Sequence, residues 1–156
     1  MNPAYSAEMT EFNRLYKETD NIYTRYAASQ GISTTTLCVL YSLYLSEAYC
    51  TQSQLVEDWG IPMQTVNSCL QAMKKSGIVR LEFREGNRKS KSILLTEQGA
   101  EMAQKIVAPL VEAENQALGA LDPGERRKLL ELTRKHCGLL RQYLLNEKGE
   151  AYGRES

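Results

Sequence analysis

The chain has 156 residues and carries 19 Lys and Arg against 19 Asp and Glu, so its formal net charge of zero identifies no charged partner. Because 42% of the residues are hydrophobic, the chain can bury an ordinary core, which excludes a largely disordered protein. Its longest apolar stretches, such as residues 37–45, are far shorter than the roughly 20 residues of a transmembrane helix, and the N-terminus has no signal-peptide pattern. We therefore expect a cytoplasmic protein with no membrane partner.

Two helices are predicted first. Apolar residues recur at spacings of three, four and seven, which predicts an amphipathic helix from about Tyr5 to Ser29 that ends at Gly31. Ser33 is a good N-cap for a second helix that ends near Glu47. The nearly continuous apolar run in this second helix predicts that it is buried on most sides.

A helix-turn-helix follows. Thr51–Gln54 fits the capping box, in which the Thr side chain and the Gln three residues later satisfy each other's backbone amides, and it starts a short helix through Asp58. Gly60 ends that helix. Pro62 opens the next one, which buries one apolar face and closes at Gly77. Two helices joined by a short turn that contains Gly are typical of a helix-turn-helix.

After this motif the period changes to that of a β-strand. Ile78–Phe83 alternates apolar and charged residues, with Val79, Leu81 and Phe83 on the predicted buried side. Ser92–Leu95 can pair with it, and the polar segment Arg84–Lys91 between them predicts a hairpin tip. We expect a basic two-stranded wing.

Two more helices complete the chain. Thr96 can cap the first, in which Pro109 predicts a kink or a local break, and Asp122 caps a last helix that runs to about Asn146. The fold class is therefore mainly α, a winged helix-turn-helix with a two-stranded β wing, flanked by long N- and C-terminal dimerisation helices. We assign residues 1–32 and 100–146 to a helical dimerisation region, 33–99 to the DNA-binding domain and 147–156 to a flexible tail.

The zero net charge hides a segregated distribution. Lys74–Lys91 holds seven basic and two acidic residues, a local net charge of +5 that leaves −5 on the rest of the chain. A charge run is often only a solvated face, but at the exit of a helix-turn-helix and on a hairpin tip it favours contact with phosphates. The start of the fourth helix offers short polar side chains that can reach base edges in the major groove, namely Gln64, Thr65, Asn67 and Ser68. The alternative is that these are ordinary exposed helix residues.

Cysteine and histidine usage indicates neither a metal site nor a catalytic centre. The four cysteines contain no C-x-x-C pair, and in a cytoplasmic chain we expect them to be small, reduced, buried side chains; they are Cys38, Cys50, Cys69 and Cys137. A thiol sensor is the alternative, with Cys137 beside Lys135 and His136 as its best candidate. His136 is the only histidine, and no nucleophile elbow or phosphate-binding loop is present. We expect no enzyme, no metal and no cofactor.

Four short segments carry a family resemblance. The sequence resembles the multiple-antibiotic-resistance regulator (MarR) family of winged-helix transcription factors. The family's recognition helix and its exit are similar to Ile61–Ser68 and Met73–Val79. Its wing and the start of the following helix are similar to Asn87–Lys89 and Leu95–Gly99. The wing departs from the family pattern of an Asp, a variable residue and an Arg. Here those positions read Asn87, Arg88 and Lys89, so either Arg88 or Lys89 takes the place of the Arg that enters the minor groove.

The resemblance implies a homodimer that binds a pseudo-palindromic operator in double-stranded DNA and is relieved of repression by a small effector. The DNA-binding residues it implies are Gln64, Thr65, Asn67, Ser68, Lys74, Lys75, Arg84, Asn87, Arg88, Lys89 and Lys91. Family members often bind small aromatic or phenolic compounds. The candidate pocket walls are Tyr16, Tyr23, Tyr26, Tyr41 and Tyr44, although tyrosines at such spacing are more often core or dimer-seam residues.

Three other functions stay open, and the least favoured of them is a small enzyme on a helical dimer. A winged-helix module could bind protein and not DNA, with the same helices as a scaffold. A thiol-based redox regulator is less favoured, because family members that sense peroxides carry a reactive Cys in the first helix and none of the four cysteines lies there.

Overall fold

The computed structural model describes residues 6–46, 50–84 and 87–145, with the backbone alone for residues 84 and 87–90. In chain order the elements are α1 (Ala7–Ser29), α2 (Thr34–Leu45), β1 (Cys50–Thr51), α3 (Gln52–Trp59), α4 (Met63–Lys75), β2 (Val79–Arg84), β3 (Asn87–Leu95), α5 (Glu97–Gly119) and α6 (Pro123–Leu144). The predicted fold class is confirmed, because the six helices and the hairpin occur in the predicted order. Residues 146–156, which include the predicted tail, lie outside the described residues.

The helices begin where local capping chemistry predicts. The Ser33 hydroxyl accepts the backbone N–H of Thr36 at 3.0 Å and starts α2. The capping boxes predicted at Thr51 and Asp122 are both formed, and they start α3 and α6. Each capped amide would otherwise lack a partner in the first helical turn, so these side chains fix the helix starts.

The sheet has one more strand than predicted. The strand order is β1-β3-β2, and both pairings are antiparallel. β1 aligns Cys50 with Ile93 and Thr51 with Ser92, so β3 is the central strand. Strands β2 and β3 form a wing hairpin, as predicted. The predicted extent of its tip, Arg84–Lys91, is wrong, because β2 includes Arg84 and β3 begins at Asn87.

The outer end of the hairpin is irregular. Phe83 is opposite Lys91, whereas the next residue of β2, Arg84, is opposite Asn87, so the register shifts at this step. Phe83 was predicted to face the core but is 60% exposed. Val79 in the same strand is 2% exposed, so the strand is buried at its base and exposed at its outer end.

The chain forms two compact units, residues 1–110 and 111–156. The core of the first unit joins side chains from separate elements that are almost fully buried, with Leu40 of α2, Leu55 of α3, Val66 of α4, Ile93 of β3 and Val107 of α5 among them. In the described part of the second unit, α6 has no buried residue. Its apolar side chains are therefore exposed in the single chain.

Helix α5 begins against the turn that follows α4. The Thr96 hydroxyl donates to the carbonyl of Gly77 at 2.5 Å and accepts the backbone N–H of Gly99 at 3.0 Å. A Cβ at position 99 would overlap the carbonyl oxygen of Ile78, so only glycine fits this close approach. The helix is continuous through Pro109, so of the two predicted alternatives the local break is wrong, and several residues of its N-terminal half are buried in the first unit. This packing offsets the loss of one helical hydrogen bond at the proline.

The cysteines do not all follow the expectation of burial. Cys50 is buried, and Cys38 and Cys69 are half-buried. Cys137 is exposed, like most of α6, which has no buried residue. Burial raises the pKa of the Cys38 thiol. Burial is also the larger cause, and the negative charge of Asp58 the smaller one, of the rise in the pKa of the Cys50 thiol to about 11.

No group of three or more His, Cys, Asp or Glu within the described ranges could hold a metal ion. None of the described helices is both long and apolar enough to cross a bilayer.

Candidate nucleic-acid interface

The turn between α3 and α4 sets the position of the candidate recognition helix. Gly60 ends α3 in the left-handed conformation with φ 61°, and its N–H donates to the Val56 carbonyl at 2.9 Å. Pro62 is the N-cap of α4, and at the start of α3 the side-chain amide of Gln52 donates to the Met63 carbonyl at 3.4 Å. The two helices of the predicted helix-turn-helix are thus joined by a tight turn and by a direct contact between their first residues.

Helix α4 has one buried and one exposed face. Val66, Leu70 and Met73, three or four residues apart, are 0%, 2% and 5% exposed and anchor the helix in the core. The predicted base-contacting residues Gln64, Thr65, Asn67 and Ser68 are all exposed. The structure therefore places all four outside the core, where a duplex could reach them.

These polar side chains are free for a ligand. Among the described residues, the side chains of Gln64, Thr65 and Asn67 form no hydrogen bond, while the Ser68 hydroxyl donates to the Gln64 carbonyl at 3.0 Å and keeps its lone pairs. Sequence reasoning missed Gln71, which is exposed, three residues after Ser68 and four after Asn67. Helical spacing alone extends the polar stripe to it.

Basic residues continue the same helix. Lys74 and Lys75 lie in the last turn of α4 and are exposed. Positive charge at a helix C-terminus is favoured by the helix dipole, so these lysines are accommodated without an ion-pair partner among the described residues. The polar stripe and the lysines together form what we call the α4 face: Gln64, Thr65, Asn67, Ser68, Gln71, Lys74 and Lys75.

The wing supplies further basic residues. The Lys91 ammonium lies 4.9 Å from the centre of the Phe83 ring, a cation–π distance that holds the lysine on the exposed end of the hairpin. Arg80, which contributed to the local positive charge, pairs with Glu82 at 2.7 Å and so adds little to the net field. The side chains of the other predicted wing residues lie outside the described ones; these are Arg84, Asn87, Arg88 and Lys89.

The five candidate pocket tyrosines lie on α1 and α2. On α1, Tyr16 is 65% exposed, Tyr23 is half-buried, and the Tyr26 hydroxyl donates to the Ile106 carbonyl at 2.7 Å. On α2, the Tyr44 hydroxyl donates to the side-chain oxygen of Gln104 at 3.2 Å, and Tyr41 packs edge-on against Trp59. Tyr26 and Tyr44 thus tie α1 and α2 to α5.

A core-anchored helix pair, a tight turn and an antiparallel hairpin define the winged helix-turn-helix class of fold. Comparison with protein-family models finds no match. A curated relative, the HTH-type transcriptional repressor NicR of Pseudomonas putida, is 26% identical over 85 residues, and this match spans about half of each protein, 54% of both.

Solved structures of similar shape share the fold over most of the chain. A MarR family regulator from Neisseria meningitidis has a TM-score of 0.75 at 18% identity and covers 88% of this chain and 96% of its own. A MarR family regulator from Streptomyces coelicolor, solved in complex with DNA, has a TM-score of 0.67 at 23% identity, with 88% and 92% covered. BpsR of Bordetella bronchiseptica, whose DNA binding is regulated by 6-hydroxynicotinic acid, has a TM-score of 0.65 at 18% identity, with 87% and 98% covered.

The chain therefore has the fold of the MarR family regulators. The resemblance read from the recognition helix and the wing is confirmed at the level of the fold. The proteins that this chain resembles are transcriptional regulators and not enzymes.

Proposed function

We propose that this chain is a cytoplasmic, homodimeric transcriptional regulator of the MarR type, most simply a repressor, that binds a pseudo-palindromic operator in double-stranded DNA. The observation that carries the proposal is the α4 face, where exposed polar side chains continue into Lys74 and Lys75. Hydrogen-bonding groups that read base edges, next to cations that meet phosphates, are what a helix in the major groove requires.

Each part of the α4 face has a distinct role in this proposal. Gln64 and Asn67 can each form a bidentate pair with adenine, and Thr65 and Ser68 can contact either bases or phosphates. Lys74 and Lys75 attract the backbone without reading sequence. Gln71 extends the contact by one helical turn along the groove.

The wing is proposed to reach the adjacent minor groove. Asn87 and either Arg88 or Lys89 would enter it, while Arg84 and Lys91 would meet the phosphates on either side. A narrow, A·T-rich minor groove has an enhanced negative potential, so the wing would favour such sequences even without base-specific hydrogen bonds.

A dimer is proposed because apolar side chains are exposed along the terminal helices. In the first unit, α1 exposes Phe12, Leu15, Tyr16 and Ile22. In the second, α6 exposes Leu129, Leu130, Leu132, Leu139, Leu140, Tyr143 and Leu144. So many large apolar side chains exposed on one helix support an association site. We propose residues 1–32 and 100–146 as the dimerisation region, 33–99 as the DNA-binding domain and 147–156 as a tail.

The proposal is tested by selecting binding sites from a random duplex library with the purified chain. We expect the recovered sequences to contain an inverted repeat with half-site centres about 10 bp apart or a multiple of that spacing, as two recognition helices of a dimer require. Fluorescence anisotropy on the recovered duplex then measures affinity. Gln64→Ala and Asn67→Ala should each cost about 1–3 kcal/mol and relax the preference at one base position.

Salt dependence separates DNA binding from a protein-interaction function. The Lys74→Ala/Lys75→Ala variant should lower the affinity for all duplexes. Between roughly 50 and 200 mM salt, the fall of the logarithm of the association constant with the logarithm of salt concentration should become less steep by about 2. The matched control is Lys17→Ala/Lys105→Ala, which removes two exposed lysines from α1 and α5. Equal slopes for the two double variants, or a library without enrichment, would refute DNA binding through α4.

An effector of the small aromatic or phenolic class is proposed to relieve repression. Regulation of BpsR by 6-hydroxynicotinic acid, in a protein of the same fold, supports this class. The candidate walls are the five tyrosines described above, and an effector acts only through different affinities for two dimer states. Adding 6-hydroxynicotinic acid or salicylate to the protein–duplex complex should weaken binding several-fold. Unchanged affinity with both compounds would count against an effector of this class.

A further inference from the structure

A cleft outside the α4 face lies where α2, β1 and α3 meet, entirely within the first compact unit. Its volume is about 390 Å³, which falls in the range of small-molecule sites. The last turn of α2 forms one wall with Ser42 and Leu45, the last turn of α3 forms the other with Asp58 and Trp59, and Cys50 is the buried floor. We call it the α2–α3 cleft.

Aromatic rings form one wall of the α2–α3 cleft. The Trp59 indole N–H donates to the Ser42 hydroxyl at 2.7 Å, which fixes the ring across the gap between the two helices. Tyr41 packs against it edge-on, with ring centres 5.8 Å apart and planes at 90°. Trp59 remains 40% exposed, so part of its ring is available to a ligand. An indole face is the strongest cation–π acceptor among the side chains.

The electrostatics of the cleft are one-sided. Asp58 forms no ion pair with any described residue, and no basic side chain is among the lining residues. The C-terminal turns of α2 and α3 both border the cleft, and neither contains a basic residue. Each helix C-terminus carries a partial negative charge from its unpaired carbonyls. The Asp58 carboxylate also lies near enough to the floor to help raise the pKa of Cys50.

From these observations we propose that the α2–α3 cleft binds a small organic cation with an apolar body, such as an aryl-substituted quaternary ammonium ion. The Trp59 ring and Leu45 contact the body, and the charged head lies against the ring face within reach of the Asp58 carboxylate and the two helix ends. An anion would meet the Asp58 carboxylate and two helix C-termini, with no basic side chain among the lining residues, so the cleft discriminates against aromatic acids. This site is separate from the tyrosines proposed for a phenolic effector, except for Tyr41, and it requires no DNA.

The single tryptophan of the chain makes the cleft directly observable, since all tryptophan emission comes from Trp59. We titrate the full-length chain with benzyltrimethylammonium and follow this emission, with calorimetry as a second measurement. Saturable binding is expected. Asp58→Asn, which keeps the shape and removes the charge, should weaken binding about tenfold, because the ammonium head then loses the charged partner that the cleft lining supplies. Neutral benzyl alcohol should bind the wild type and Asp58→Asn with equal affinity.

Two comparisons decide the proposal. Glu57→Gln removes the same charge from the neighbouring residue of α3, which is exposed and outside the cleft lining. It should change the affinity less than about twofold, because salt screens an exposed charge that does not contact the ligand. Benzoate, an anion with a similar ring, should not saturate the signal. The proposal is overturned if Glu57→Gln weakens the cation as much as Asp58→Asn does, if benzoate binds comparably, or if the cation does not saturate.

Discussion

Replacing Gly99 by alanine should destabilise the first compact unit, because the added Cβ has no room beside the Ile78 backbone. The added Cβ would overlap the Ile78 carbonyl oxygen and lie 3.0 Å from its carbon and 3.2 Å from Leu95 Cδ2. The obstacle is mostly backbone, and the same carbonyl accepts the Thr96 N–H at 3.1 Å. Relieving the overlap therefore weakens this hydrogen bond as well.

The expected cost follows from the two effects together. Forcing an extra methyl group into packed structure costs about 1–3 kcal/mol, and a weakened hydrogen bond adds about 0.5–1.5 kcal/mol. We expect Gly99→Ala to lower the free energy of unfolding by about 1.5–4.5 kcal/mol. Urea denaturation followed by circular dichroism measures it, at one fixed protein concentration because a dimer's stability depends on concentration.

Gly119→Ala is the matched control for this substitution. Gly119 also lies in α5, and a Cβ there would meet nothing within 4 Å. The free energy of unfolding of the Gly119→Ala variant should stay within about 0.5 kcal/mol of the wild-type value, as for ordinary surface substitutions. If Gly99→Ala and Gly119→Ala unfold at the same urea concentration with the same slope, the close approach of α5 to Ile78 is not a constraint on stability.

Three further outcomes are expected. Thr51→Ala removes the acceptor of the Gln54 backbone amide and should cost about 1 kcal/mol in urea denaturation, whereas an unchanged midpoint would show that the capping box adds no stability. Leu70→Ala truncates a side chain that is 2% exposed and should cost about 2–5 kcal/mol in the same assay, so a loss below that range would mean a loosely packed site. In alkylation at about pH 8 followed by mass spectrometry, exposed Cys137 should react before Cys50, whose pKa of about 11 keeps it as an unreactive thiol, and the reverse order would contradict its burial.

Sequence reasoning located the helix-turn-helix because its signals are local. The capping box at Thr51–Gln54 and the left-handed turn at Gly60 each depend on residues within a few positions of one another. The exposed polar stripe of α4 follows from helical spacing once the buried Val66 and Leu70 are known. Such features can be read without knowing the tertiary structure.

Other features depend on contacts between distant segments. A two-residue strand such as β1 is too short to show a period, so its pairing with β3 has no sequence signal. The exposure of Phe83 depends on where the packed end of the hairpin stops. The α2–α3 cleft depends on the contact of Trp59 with Ser42, 17 residues earlier, which no local pattern predicts.

The register shift in the hairpin gives its two strands unequal lengths. Between the pairs Phe83–Lys91 and Arg84–Asn87, β3 contains residues 88–90, whereas β2 contains none. These extra residues include both candidates for minor-groove entry, Arg88 and Lys89. At its other end the hairpin is fixed, because Val79 is 2% exposed and belongs to the core. The wing therefore has a buried base of equal strands and an outer end in which β3 exceeds β2 by three residues.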